Sequence, residues 1–158
     1  MSPATPSRQP VEIWFKIQKD AEGNPKTQDW EDLWSVPLEG GAFRVASTPF
    51  FITGIASGDV VSAVRTDEGW YKFESVISRS GNSNFRIFLH DGVLQNRGLI
   101  VRVLQELGCH VECTLERLLA LDGPADRETE VWVYLQAGVS RDDWGLQVGF
   151  SPSSRSPD

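Results

Sequence analysis

The chain has 158 residues, 40% of them hydrophobic and 23% charged, with a formal net charge of −7. That length buries roughly two-thirds of the unfolded surface, enough for one domain or two compact lobes without disulfide or metal staples. No apolar run reaches the ~18 residues of a membrane span, the Ser/Pro-rich first ten residues lack a signal-peptide core, and an acidic surface repels phosphate backbones, so a cytoplasmic protein that binds neither membrane nor nucleic acid is expected.

Residues 1–10 read as a disordered polar tail. From Val11 to Gln18 the chain alternates around Trp14 with β-branched neighbours, which predicts a strand. Asp20 to Asp29 carries Gly23, Asn24 and Pro25 and reads as a loop. Trp30 to Leu38, Ala42 to Ala46, Pro49 to Ile52, Asp59 to Val64, Trp70 to Ser78 and Phe85 to Leu89 are further extended or apolar stretches. They are separated by turns at Gly40-Gly41, Asp67-Glu68-Gly69 and Ser80 to Ser83. Gly58 and Asp59 make a structural turn, because Gly permits a positive φ and Asp accepts from nearby amides. About seven short strands over residues 11–89 predict a β-rich, barrel-like lobe.

The period changes after Asp91, which is placed to cap a helix from about Val93 to Leu107. Ile100, Val103, Leu104 and Leu107 form its apolar face, and Gly108 its C-cap. Cys109 to Thr114 and Leu118 to Leu121 read as strands, and Gly123-Pro124 breaks the chain. A second helix runs from about Asp126 to Ala137, ends at Gly138, and buries Val131 and Leu135 with Trp132 or Tyr134. Trp144 to Phe150 is the last strand. With Phe85 to Leu89 counted, residues 85–150 spell β-α-β-β-α-β, a ferredoxin-like lobe. Residues 151–158 read as a second disordered tail. The fold class is therefore α+β, a small barrel-like lobe followed by a ferredoxin-like one.

Chemistry is sparse. Cys109 and Cys113 flank His110, but positions four apart on a strand lie roughly 13 Å apart, too far for a disulfide. With His90 the only other histidine, a four-ligand zinc site is not expected, and no metal or cofactor is expected elsewhere. The cysteines read as two small buried thiols on one strand face. No nucleophile elbow or phosphate loop is present, and His90 and His110 read as structural. Two polar or aromatic groupings remain. Ser80, Asn82, Ser83 and Asn84 cluster in one turn next to Arg79 and Arg86; the favoured reading is a turn that caps its own backbone, and the other is an anion held on turn amides with Arg86 as a guanidinium fork. Trp14, Trp30, Trp34 and Trp70, with Phe50 and Phe51, should mostly fill the barrel core. An exposed subset, Trp34 foremost, would make an interface.

Leu33-Trp34, Pro49-Phe50-Phe51, Gly54-Ile55-Ala56, Gly58-Asp59-Val60-Val61, Ser80-Gly81-Asn82-Ser83 with Arg86, and Gly108-Cys109 together resemble a small bacterial family known as domain of unknown function 4265, over roughly residues 11–150. The family pattern has Thr where Asn84 stands. The resemblance implies a domain and no activity.

The leading expectation is a non-enzymatic acidic protein-interaction module, of the kind that neutralises a basic toxin as immunity proteins do. Residues 90–158 hold 6 basic and 11 acidic side chains and no lysine, so the acidic excess lies mostly in that half, where it would steer a basic partner. The alternative is a small-molecule-binding sensor, and an enzyme ranks third.

Overall fold

Alternation of burial along Val11–Lys16 sets the first lobe: Ile13 and Phe15 are buried, while Trp14 and Lys16 take the opposite face. In the computed structural model, which describes residues 9–17, 30–113 and 115–156, this strand (β1) is joined by β2 (Trp30–Pro37), β3 (Ala42–Val45), β4 (Val60–Arg65) and β5 (Tyr71–Ser78). They close into a barrel in chain order. Every neighbour pair is antiparallel except the closing one, where β1 runs parallel to β5 through Ile13↔Tyr71 and Trp14↔Lys72 alone. Ile13, Phe15, Ile17, Leu33, Phe43, Val45 and Val61 fill the interior with Ile52 and Ile55. The predicted loop over 20–29 lies outside the described residues.

The expected strand at Pro49 to Ile52 is instead an irregular loop between β3 and β4. Phe85 to Leu89 also leaves the barrel: as β6 (Ser83–Leu89) it belongs to the second sheet. Five of the seven expected strands thus make the barrel.

The second lobe continues with α1 (Arg97–Glu106), β7 (His110–Glu112), β8 (Leu118–Gly123), α2 (Glu128–Ser140) and β9 (Trp144–Phe150). The sheet order is β7-β8-β6-β9, antiparallel throughout, as a split β-α-β unit requires. One face of the sheet, with Phe85, Ile87, Leu89, Leu119 and Leu121, packs on Ile100 and Leu104 of α1 and on Val131 and Leu135 of α2.

Four details of the helices differ from expectation. The first begins as a 3₁₀ segment, Asp91–Asn96, before turning α-helical at Arg97. Asp91 makes no cap bond there; its carboxylate meets Arg117 at 2.6 Å. Val101 rather than Val103 packs on the core beside Ile100 and Leu104. In α2, Gly138 sits inside the helix, which runs on to Ser140. A β-carbon at Gly138 would lie within the Trp144 ring, so this glycine serves close packing, not helix termination. Gly108 does follow α1 with φ +91°.

Cys109 and Cys113 are free thiols, but β7 is only three residues long and Cys113, past its end, is exposed. Burial pushes the Cys109 thiol up to about 12, with Asp122 adding to the effect, which favours the protonated thiol. The described part of the expected C-terminal tail is tied down: Ser151, Ser153 and Arg155 all donate to the Glu128 carboxylate at the start of α2, and the Arg155 guanidinium lies 5.5 Å from the Trp132 ring centroid.

Candidate functional site

The loop that replaces a strand at Pro49 to Ile52 carries backbone groups with no ladder partner, and buried polar side chains supply the partners. Glu31 lies on the inward face of β2 with Leu33 and is buried. Its carboxylate accepts from the amides of Phe50 (2.8 Å), Phe51 (3.0 Å) and Ile52 (3.0 Å). From the opposite side, Asn84 and Arg86 of β6 donate to the Pro49 carbonyl, and Arg86 also donates to the carbonyl of Ile52. Both lobes therefore hold one loop, by its amides and by its carbonyls. Gly149 allows this approach, because a β-carbon there would collide with Asn84 Oδ1 and the Arg86 guanidinium.

Arg86 is 1% exposed, and burial lowers its pKa to about 10, partly offset by Glu31 and Asp122. It is a buried clamp whose bonds go to the Pro49 loop, which suits the self-closed reading of this turn better than an anion fork. Ser80, Asn82 and Ser83 are brought together beside it, also closed on the protein. Ser80 Oγ and Asn82 Nδ2 both donate to the Ser57 carbonyl at 2.9 Å, and Ser83 Oγ points to the Gly123 carbonyl.

Gly58 and Asp59 form the turn opposite. Gly58 has φ +87°, and a β-carbon there would come within 2.9 Å of Ser80 Cβ. Asp59, fully buried, accepts from the amides of Ala56 and Ser80 and pairs with Arg79 at 3.0 Å. Asp122 of β8 completes the seam, accepting from Thr48 Oγ1 at 2.5 Å and from the Ser57 amide. Burial raises its pKa to about 6 against the lowering effect of those bonds. A small cleft of about 150 Å³ leads to it past Ser57, Asn82 and His110. His110 stands opposite Asp122 across the strand pair and meets Glu112 at 3.2 Å. His90 lies away from it, bonded to the Asp142 backbone carbonyl.

Trp34 is exposed as expected, but the other tryptophans do not fill the barrel core. None of Trp14, Trp30, Trp34 or Trp70 belongs to the barrel core. The period of two that points Ile13 and Phe15 inward turns Trp14 outward, and Trp34 opposes Glu12 on the same outer surface. Trp70 stands nearly perpendicular to both Trp14 and Trp30, at 78° in each case, with ring centroids 6.5 and 5.8 Å away. Three indoles thus wall a cavity of about 390 Å³. Trp34, half exposed, extends it into a shallow groove with Val11, Glu12, Trp14, Trp70 and Tyr71. The Trp70 indole N–H donates to Glu68 at 3.1 Å. Phe50 is buried in the loop, and Phe51 is partly exposed beside it.

Reasoning from sequence missed Glu31 and Asp122, and it grouped Asn84 with a turn rather than with the Pro49 loop it bonds. The first had a signal: a carboxylate two residues before Leu33 on a strand shares its inward face. Asp122 had a weaker one, as the polar end of an apolar strand.

Among solved structures, a hypothetical protein from Neisseria gonorrhoeae is similar to this chain, with a TM-score of 0.70 at 20% identity, covering 91% of this chain and 97% of that one. At that identity the likeness is one of fold. No curated protein matches the chain. The profile of the family described as "Domain of unknown function (DUF4265)" matches residues 31–144, a span that holds the Glu31 carboxylate, the Pro49 loop, the Gly58-Asp59 turn and the Arg86 clamp, and the chain belongs to that family.

Proposed function

We propose that this protein is a non-enzymatic interaction module that grips a protein partner through the tryptophan face on the outside of its barrel. One observation carries the reading: four indoles stand on the barrel exterior and three of them wall an open cavity. Large aromatic side chains left outside the core are the residue type most enriched among binding hot spots. Ser80, Asn82, Asn84, Arg86 and Asp122 bond to the loops around Pro49 and Ser57. The partner this reading names is a basic protein, with a toxin held by its immunity protein as the concrete case, because the net charge is −7.

The test compares capture of a partner from the native host by the wild type, by Trp14→Ala with Trp34→Ala, and by Val133→Ala. Val133 is exposed on α2, in the other lobe. Removing the indoles should weaken the complex about 30-fold or more, the scale of hot-spot losses of 2 kcal/mol, while Val133→Ala should have no effect. Equal retention by all three proteins would refute the assignment of this face.

A second reading, a small-molecule sensor, is favoured by a separate cleft beside Trp30, lined by barrel-core side chains.

A further inference from the structure

The barrel closes weakly. β1 and β5 are paired only at Ile13↔Tyr71 and Trp14↔Lys72. Past Lys72 the two strands part, and β5 carries bulges there, with register shifts against β4 between Val60 and Val61 and between Ser62 and Ala63. The parting opens a cleft of about 290 Å³ whose walls are core side chains: Phe15, Phe73 and Val76 from the strands, Ile52 and Ile55 from the loop across them. Its rim is different in kind. Lys16 and Lys72 both line it, their ammonium groups 5.9 and 5.8 Å from the Trp30 ring centroid. Among the described residues neither ammonium has a carboxylate partner.

That pairing of features is unusual for this chain. It has only four lysines, Lys16, Lys19, Lys26 and Lys72, against 22 acidic residues, yet two of the four converge on the mouth of one apolar cleft. Both line the opening of the cleft. Clefts at the mouths of barrels, apolar inside with a few polar groups at the entrance, are common ligand sites. An apolar interior selects a hydrocarbon, and two cations at its mouth, with no carboxylate partner among the described residues, select an anion at one end of it.

We propose that this cleft binds a linear aliphatic carboxylate. The hydrocarbon lies against Phe15, Phe73 and Val76, and the carboxylate sits between Lys16 and Lys72 beside the Trp30 ring. The site shares the Trp30 ring with the outer tryptophan cavity and otherwise has its own lining, and the proposal does not depend on a protein partner.

The test uses the purified full-length chain and three probe series of equal tail length: hexanoate, octanoate and decanoate, the corresponding primary alcohols, and the corresponding primary amines. Binding is read by calorimetry and by the change in tryptophan emission. Carboxylates should bind with affinity rising about fourfold per methylene until the cleft is filled. They should bind about tenfold more tightly than the alcohols and more tightly still than the amines, given two partly solvated ion pairs. Both lysines are exposed, so K16Q/K72Q should fold as the wild type does and lose the preference of carboxylate over alcohol. K16E/K72E should reverse the order and favour the amines. Amines binding as tightly as carboxylates in the wild type, a preference untouched in K16Q/K72Q, or no saturable binding of any carboxylate at about 1 mM would overturn the proposal. Because no partner protein is present, any of these results leaves the reading of the tryptophan face as it stands.

Discussion

Single residues at the seam carry costs that only their partners justify. Arg86 and Glu31 are buried ions whose bonds go to one loop. Removing either leaves the other's charge less compensated and several backbone groups unpaired. Arg86→Ala and Glu31→Ala should therefore each lower the unfolding free energy by about 3 kcal/mol or more, measured by urea denaturation, and the double variant should cost less than the sum because both act on the same loop. A loss at Arg86 below about 1 kcal/mol would mean that the loop holds its shape without the clamp. Asp122 acts in the other direction. Its pKa is raised from 3.8 to about 6 in the folded chain, so folding favours the protonated form. The associated stability is fully present below about pH 4 and is lost as pH rises through about 6, a change on the order of 3 kcal/mol. Asp122→Asn removes this dependence. The stability of that variant relative to the wild type should rise between pH 4 and pH 7.5, and a difference that stays constant over that range would show that Asp122 ionises in the fold as it does in the unfolded chain. Arg86 illustrates what could be read from sequence and what could not. Its place after a Ser/Asn turn was legible, but whether its guanidinium faces solvent or a buried loop depends on residues 37 and 34 positions away, and no local pattern reports that.

Among elements, the helices and strands with a clear period were legible and the irregular ones were not. The β-α-β-β-α-β order of the second lobe follows from its alternation and from the 3.6-residue spacing of Ile100 and Leu104 and of Val131 and Leu135. Pro49 to Ile52 misleads because an apolar run usually marks a buried strand; here Glu31, Asn84 and Arg86 replace the ladder, and such long-range polar partners leave no periodicity. The tryptophans mislead for a related reason. Hydrophobicity argues for the core, but the strand period had already committed Ile13 and Phe15 to that face, leaving Trp14 outside. Gly138 reads as a helix end by composition, whereas its role is set by the Trp144 ring, six residues on and in the next strand. Two substitutions separate these roles. Gly98 and Gly138 both lie in helices, but a β-carbon at Gly98 meets open space. Gly98→Ala should stabilise by up to about 1 kcal/mol through helix propensity. Gly138→Ala should destabilise by about 1–3 kcal/mol despite the same propensity gain, because the methyl overpacks against Trp144. Thermal unfolding of the two variants side by side decides the matter; stabilisation by both would return Gly138 to the role of a helix terminator.

At the scale of the whole molecule, charge and aromatic surface are divided between the lobes. All four lysines belong to the first 72 residues, and residues 90–158 carry 6 basic against 11 acidic side chains, while the open tryptophan cavity is on the barrel. If a basic protein binds, the two properties should show in different rate constants. Long-range attraction from the acidic excess sets the encounter and is screened over about 10 Å at 0.1 M salt, so the association rate should fall steeply as ionic strength rises. Desolvated indoles hold the complex once formed, so the dissociation rate should change little with salt and should instead rise when Trp14 or Trp34 is replaced by alanine. The measurement is surface-based or stopped-flow kinetics with the captured partner over a range of salt concentrations, for the wild type and both tryptophan variants. A salt-independent association rate would remove the acidic surface from recognition. Tryptophan variants that slow association without speeding dissociation would remove the aromatic face as the anchor.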